Sequence, residues 1–447
     1  MTNKVTGIML AAANMEPERI YTDINSRKQW PFKAETPEHG LDIPRIFNAA
    51  QQSKTISRGK DVLIFVVSLF GFIVPFLAIP AVAVIQFVFL RSMRRRAREV
   101  LREIADEADA TSAERQDPSR NVLISGGYAP FLGAGFGRRA WSFTVDLRKA
   151  ANESMPVLPV TARALYDETQ AGIEKLRLPG LALLDTVCVD GRDVGEVPSL
   201  MRAGKYHRPE SSLPQQEVES LVGRNDMRMR HYKLLRADLW GGQLLANIYF
   251  RYVIQAGLLF VEARTFVLPP LRREFRDYES MPSEPDFREY RNDALRSLVW
   301  APFLWLVIGK RMLSFIFGGW LTLLHDPAKK NAQAIDRNRK FNYGWTDSLR
   351  EHWAANEYER YFQGVDLDFY EKSLQEALLD SMQTALKARN VSVEAFAQAS
   401  TTIFNQGIMM SGGTLTAQSM AVGLGGVATA VNKVLSAGNT AAKQTSA

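Results

Sequence analysis

The sequence predicts an α+β protein: an N-terminal transmembrane helical hairpin, a cytoplasmic mixed α/β domain, and a C-terminal helical region with a Gly/Ala-rich tail. Three observations predict it: an uncharged apolar run at 62–90, short β-favouring runs between 121 and 270, and a leucine stripe at helical spacing after residue 370. The chain has 447 residues, 46% of them hydrophobic, enough for two or three compact units with a sizeable core. The predicted order is a cytoplasmic segment 1–60, the hairpin 61–91 and a basic juxtamembrane helix 92–120. An α+β domain 121–290, a second apolar region 291–326, a helical region 327–406 and the tail 407–447 follow.

Near the N-terminus, IMLAAA is too short for a secretory signal core, and charged residues follow it without a clear cleavage site. The N-terminus is therefore expected to stay in the cytoplasm. Residues 62–90 carry no charge. As one straight helix they would reach roughly 44 Å, longer than a ~30 Å hydrocarbon core. Two full spans would need about 40 apolar residues. Pro75 and Pro80, with Gly71 just before them, place a break around PFLAIP, because proline removes a backbone donor and disfavours helix in the residue before it.

Lys54, Arg58 and Lys60 precede the run, and Arg91, Arg94, Arg95, Arg96 and Arg98 follow it. Both flanks are basic, so the positive-inside rule puts both in the cytoplasm, at the inner face of the cell membrane. A tight hairpin turning at Pro75 and Pro80 satisfies these facts, and one tilted span is the alternative. The net charge of +7 is concentrated in this arginine cluster. Its position after an apolar run makes anionic headgroups of a lipid bilayer the expected partner, rather than nucleic acid.

The second apolar region, 298–324, is interrupted by Lys310 and Arg311. Each would cost ~3 kcal/mol at the bilayer centre, which disfavours a simple span. Trp300, Trp305 and Trp320 suit the headgroup level. A helical hairpin is expected, either touching the membrane or buried in the soluble part. The juxtamembrane helix must end at Asp117–Pro118.

Within 121–270, VLIS, WSFTVDL and LLDTVCVD read as strands, and LLANIYFRYVI with LLFVEARTFVL as a β-hairpin around Gly257. Thr161 opens a helix as its N-cap. Leu374, Leu378, Met382 and Leu386 form the helical stripe, a core face. The tail has no charged residue between Ala395 and Asn432. Ala417, Ala421 and Gly425 have the spacing of close helix packing, whereas Gly412–Gly413 suggests a turn. An irregular or β-like tail that orders on self-association is expected, hence a homo-oligomer.

Several motifs occur in a characteristic order: PFLGAGF then WSF at 130–143, ADLWGGQLL, VEARTFVLPP at 261–270, FNYGWTDSLRE at 341–351, YERYFQGVDLDFYEK at 358–372, and the Gly-rich ending. In these the chain resembles a family of uncharacterised bacterial membrane proteins common in actinobacteria. The resemblance covers most of residues 120–430. It implies architecture and no chemistry.

The loop Gly133-Ala-Gly135-Phe-Gly137, followed by Arg138 and Arg139, is the one candidate for an anionic ligand. A dinucleotide fingerprint needs a helix after the loop, and here a strand follows. A turn that shapes the domain is the expected role. Cys188 is the single cysteine, in an apolar stretch, so it reads as a structural thiol. His39, His207, His231, His325 and His352 have no metal-ligand spacing. Asp366 and Asp368 read as residues of a helix N-terminus, and Glu262 with Arg264 as a same-face ion pair. No catalytic residue, metal or cofactor is expected. The expected function is a non-enzymatic, membrane-anchored scaffold, sensor or membrane-perturbing effector. The alternatives are a ligand-gated channel or transporter, or an enzyme or binding module for a nucleotide or lipid headgroup at Gly133–Gly137.

Overall fold

The computed structural model describes residues 4–71, 75–108, 120–323, 327–338, 340–394 and 396–397. The IMLAAA run lies in helix α1 (Lys4–Met15), where all residues from Val5 to Asn14 are buried. Ala11, Ala12 and Ala13 are fully enclosed, and such small side chains let neighbouring helices close in. Asn14 is satisfied by donating to Leu10 O at 3.0 Å and accepting from Ser53 Oγ at 2.9 Å. Helix α2 (Pro17–Lys28) starts on proline and ends on Arg27 and Lys28, which suits the helix dipole.

Helix α3 (Ile43–Gly71) and helix α4 (Pro75–Ala108) contain the long apolar run. Lys60 lies over the Phe89 ring at 4.5 Å, and Ile64 packs with Val82 and Ala83, so the two helices run antiparallel. The expected break shifts. Pro75 is the first residue of α4, where its missing donor costs nothing, and Pro80 is carried inside the helix. Both prolines were expected in the turn, but Pro80 gives up one hydrogen bond close to a helix end, and the helix continues. The juxtamembrane segment is helical as far as Ala108, as the continuation of α4 through the arginine cluster. The expected stop at Asp117–Pro118 lies outside the described residues.

Strand β1 (Val122–Ser125), strand β2 (Phe136–Asp146), helix α5 (Ala162–Glu174) and strand β3 (Leu181–Asp190) come next. Thr161 caps α5 by accepting from Ala164 N. Helix α6 (Gln215–Leu221) leads to strands β4 (Met229–Leu239), β5 (Leu244–Gln255) and β6 (Leu258–Leu268). The six strands form one mixed sheet in the order β1-β3-β4-β5-β6-β2, with only β1 and β3 parallel. Gln255 pairs with Leu258, so the β5–β6 turn is Ala256–Gly257, with φ of 52° and 76°. Two positive φ values define a type I′ turn, whose twist matches the strands.

Helix α7 (Arg273–Arg276) precedes helix α8 (Phe287–Leu323), which occupies the second apolar region. One helix with Pro302 inside it thus stands where a hairpin was expected. Arg98 and Arg94 of α4 meet Glu289 and Asp293 of α8, and Val82 packs near Ala301, so α8 is antiparallel to α4. Helix α9 (Pro327–Arg337), helix α10 (Leu349–His352) and helix α11 (Tyr361–Lys387) complete the described chain. The stripe Leu374, Leu378, Met382, Leu386 of α11 joins α5 and the sheet in the largest core cluster. The tail 407–447, with Ala417, Ala421, Gly425 and the Gly412–Gly413 pair, lies outside the described residues.

Candidate functional site

Gly133 and Gly135 have φ of 79° and 93°, a region that non-glycine residues seldom adopt. A Cβ on Gly133 would stand 2.4 Å from Pro37 Cγ, and one on Gly135 2.2 Å from Val267 O. The loop therefore lies flat against β6 and the N-terminal segment. Its amides already hold an anion from within the chain. Gly135 N–H donates to Glu351 Oε1 at 2.8 Å, and Ser348 N–H donates to Glu351 Oε2 at 2.8 Å. Glu351 N–H returns a bond to Ser348 Oγ, completing a capping box at the start of α10.

Gly137 falls inside β2, next to a bulge between Gly137 and Arg139. The bulge turns both arginines toward α11. Arg138 pairs with Asp368 at 2.8 Å and Glu371 at 3.4 Å, and Arg139 pairs with Glu371 at 3.2 Å. The Glu371 side chain is 1% exposed, so these contacts neutralise a buried carboxylate. Asp366 accepts from Trp240 Nε1 at 3.0 Å. The expected Glu262–Arg264 pair is present at 2.8 Å and is shared with Arg251.

Beside the loop is a cleft of about 410 Å³, lined by Phe131, Phe266, Arg272, Asp347, Glu351 and His352 among others. Enclosure raises the Glu351 carboxyl above its ordinary value, against the lowering effect of its amide donors. His352 Nδ1 lies 3.7 Å from Asp347 Oδ2. Beneath the cleft, Glu38 accepts from the amides of Leu349 and Arg350, each at 2.9 Å. Arg350 is fully buried and donates to Gln243 O and Pro269 O. Arg236 and His39 meet at 3.1 Å, and desolvation beside the Arg236 charge holds His39 well below its ordinary value. Sequence reasoning gave no role to Glu38, Arg236 and Arg350, and weighed His39 only as a metal ligand. The S-x-x-E pattern of Ser348 and Glu351 was the one local signal for this neighbourhood.

The arginine cluster splits. Arg91, Arg94 and Arg98 face α8, where Glu289 and Asp293 hold them; the Asp293 side chain is 2% exposed. Arg95 points outward and pairs with Glu99. Beyond this ionic layer the helices are apolar on the outside: Phe70 of α3 is 68% exposed, Leu77 of α4 70% and Val299 of α8 61%. Val62, Leu63, Val66, Leu69, Val84, Val88 and Phe303 continue the same belt. Leu77–Glu103 is long and apolar enough to cross a membrane, with mean hydropathy 1.5. Among the described residues no group of three His, Cys, Asp or Glu side chains is placed to hold a metal ion.

These features define a mixed α+β protein with a six-stranded sheet and a helical layer whose far end exposes apolar side chains. Residues 140–418 match the AbeC-like domain, and the chain belongs to that family. The match begins within β2 and covers β3 to β6 and α11, with PFLGAGF and β1 lying before it. Comparison with curated proteins gives no match, and comparison with solved structures gives none.

Proposed function

We propose that this protein is a non-enzymatic, membrane-anchored scaffold whose α+β body sits on the cytoplasmic face of the cell membrane. The observation that carries the reading is the outward apolar belt on α3, α4 and α8. Side chains such as Phe70, Leu77 and Val299 are each more than half exposed, and such apolar exposure is penalised by water and accepted by lipid. The α3–α4 pair acts as a hairpin with both flanks on one side, since Lys54, Arg58 and the Arg91–Arg98 cluster are basic on each arm. Arg95, the outermost of that cluster, is the side chain best placed for an anionic headgroup. Copies confined to the membrane plane associate through their tails at a raised effective concentration.

The test is cysteine labelling in a Cys188→Ser background, with Thr55→Cys on α3 and Glu99→Cys on α4. Both sites should resist an impermeant reagent applied to intact cells and react once the membrane is opened. Reaction of either site from outside overturns the hairpin. Recovery of the protein in the soluble fraction after lysis overturns membrane attachment itself.

A further inference from the structure

β2 is an edge strand of eleven residues, and among the described residues nothing pairs with its outer side. Which groups face outward follows from one bond. Leu147 N–H donates inward to Gly257 O at 2.9 Å. Inward and outward residues alternate in an antiparallel ladder. Trp141, Phe143 and Val145 therefore bond toward β6, whereas Ala140, Ser142 and Thr144 direct their N–H and C=O groups outward.

Folded proteins usually blunt such an edge with proline, charge or a bulge. β2 has these guards only at its two ends: the bulge at Gly137/Arg139 with the two arginines at its start, and Asp146, paired with Arg148, at its finish. The stretch AWSFTV at 140–145 has no charge and no proline, and it is rich in aromatic and β-branched residues. Among the described residues it is an adhesive strand left open. The Ser142 and Thr144 side chains are exposed on the face away from α11.

We infer that the outer edge of β2 binds the same edge of a second copy of this chain, antiparallel across a two-fold axis at Ser142, to make one continuous sheet. The register favours this occupant. Centred on Ser142, the pairing sets Trp141 opposite the partner's Phe143 and Ala140 opposite the partner's Thr144. Aromatic meets aromatic and small meets small, which are favourable cross-strand pairs. Outward groups at 140, 142 and 144 supply about six intermolecular hydrogen bonds. An isologous contact of this kind closes at two copies.

The experiment uses the full chain in nanodiscs, in a Cys188→Ala background. Ser142→Cys should form a disulfide-linked dimer at least tenfold faster than Ser220→Cys, an exposed control on α6. Ser142→Pro removes an outward donor and leaves the β2–β6 bonds intact, and it should halve the particle mass measured by light scattering. Thr144→Lys should halve it too, with an unchanged circular dichroism spectrum showing that the fold survives. A monomeric parent overturns the inference, as does a mass that both variants leave unchanged. If the parent is monomeric and Ser142→Cys links copies only after truncation at Gln406, the edge is held by the chain's own C-terminal residues, which also overturns it.

Discussion

Gly135 donates its backbone N–H to Glu351 at 2.8 Å across 216 residues of sequence, so the glycine loop holds a carboxylate of its own chain. The left-handed φ of Gly135 and the approach of Val267 O leave no room for a side chain. Gly135→Ala should destabilise the protein by about 3 kcal/mol, from backbone strain and displacement of β6. Chemical denaturation measures this, and an unchanged midpoint would mean that the loop is not locked as described. Glu351→Gln keeps one acceptor and should cost less, about 1 to 2 kcal/mol.

The two arginines after the loop face α11, not the cleft. Arg138→Ala with Arg139→Ala should leave any response to ATP, GTP or NAD unchanged in a thermal-shift assay. The same variant should lose about 3 kcal/mol of stability, because the Glu371 carboxylate would remain buried without its partners. Tight nucleotide binding by the parent that disappears in the variant would contradict this.

Asp293 joins α8 to α4 through Arg94 at 3.0 Å and Arg91 at 3.5 Å. Asp293→Asn removes one charge from an enclosed cluster and should cost about 3 kcal/mol. The paired replacement Arg94→Met with Asp293→Leu should recover much of that loss, since an apolar pair of similar volume needs no compensating charge. Thermal unfolding in detergent compares the three proteins. A double variant less stable than Asp293→Asn would show that the ionic layer does more than join the helices.

His39 is held well below its ordinary value of 6.5 by desolvation first, then by the charges of Arg236 and Arg350. The unfolded chain therefore takes up a proton near 6.5 that the folded chain refuses. This contribution to stability is complete above that value and is lost as pH falls toward the lowered one. Glu38 and Glu351, both raised by enclosure, act with the opposite sign: they favour folding at low pH and lose that contribution as pH rises through their raised values. His39→Gln isolates the histidine. Between about pH 7 and 5 the parent should lose more stability than the variant, measured by urea denaturation. Parallel curves would place His39 in an environment that accepts its charge.

The sequence by itself determined the elements that rest on local physics. The β5–β6 hairpin was legible because two apolar runs flank a glycine turn, and α5 because Thr161 precedes its first helical residue. The stripe at Leu374, Leu378, Met382 and Leu386 marked the buried face of α11 by spacing alone. Strand β4 was not legible. His231, Lys233 and Arg236 make it look like a solvated segment, and only the fold supplies Asp185 and Asn247 to receive them. The sequence showed the arginine cluster but not its partners: the fold brings Glu289 to Arg91, Arg94 and Arg98 across 191 to 198 residues of chain. Glu351 filling the Gly133–Gly135 loop has the same origin. Periodicity and capping act over one or two turns and leave a local trace, whereas the partner of a buried charge is chosen by the packing of distant segments. Only the tertiary structure decided which charges stayed exposed and which met each other.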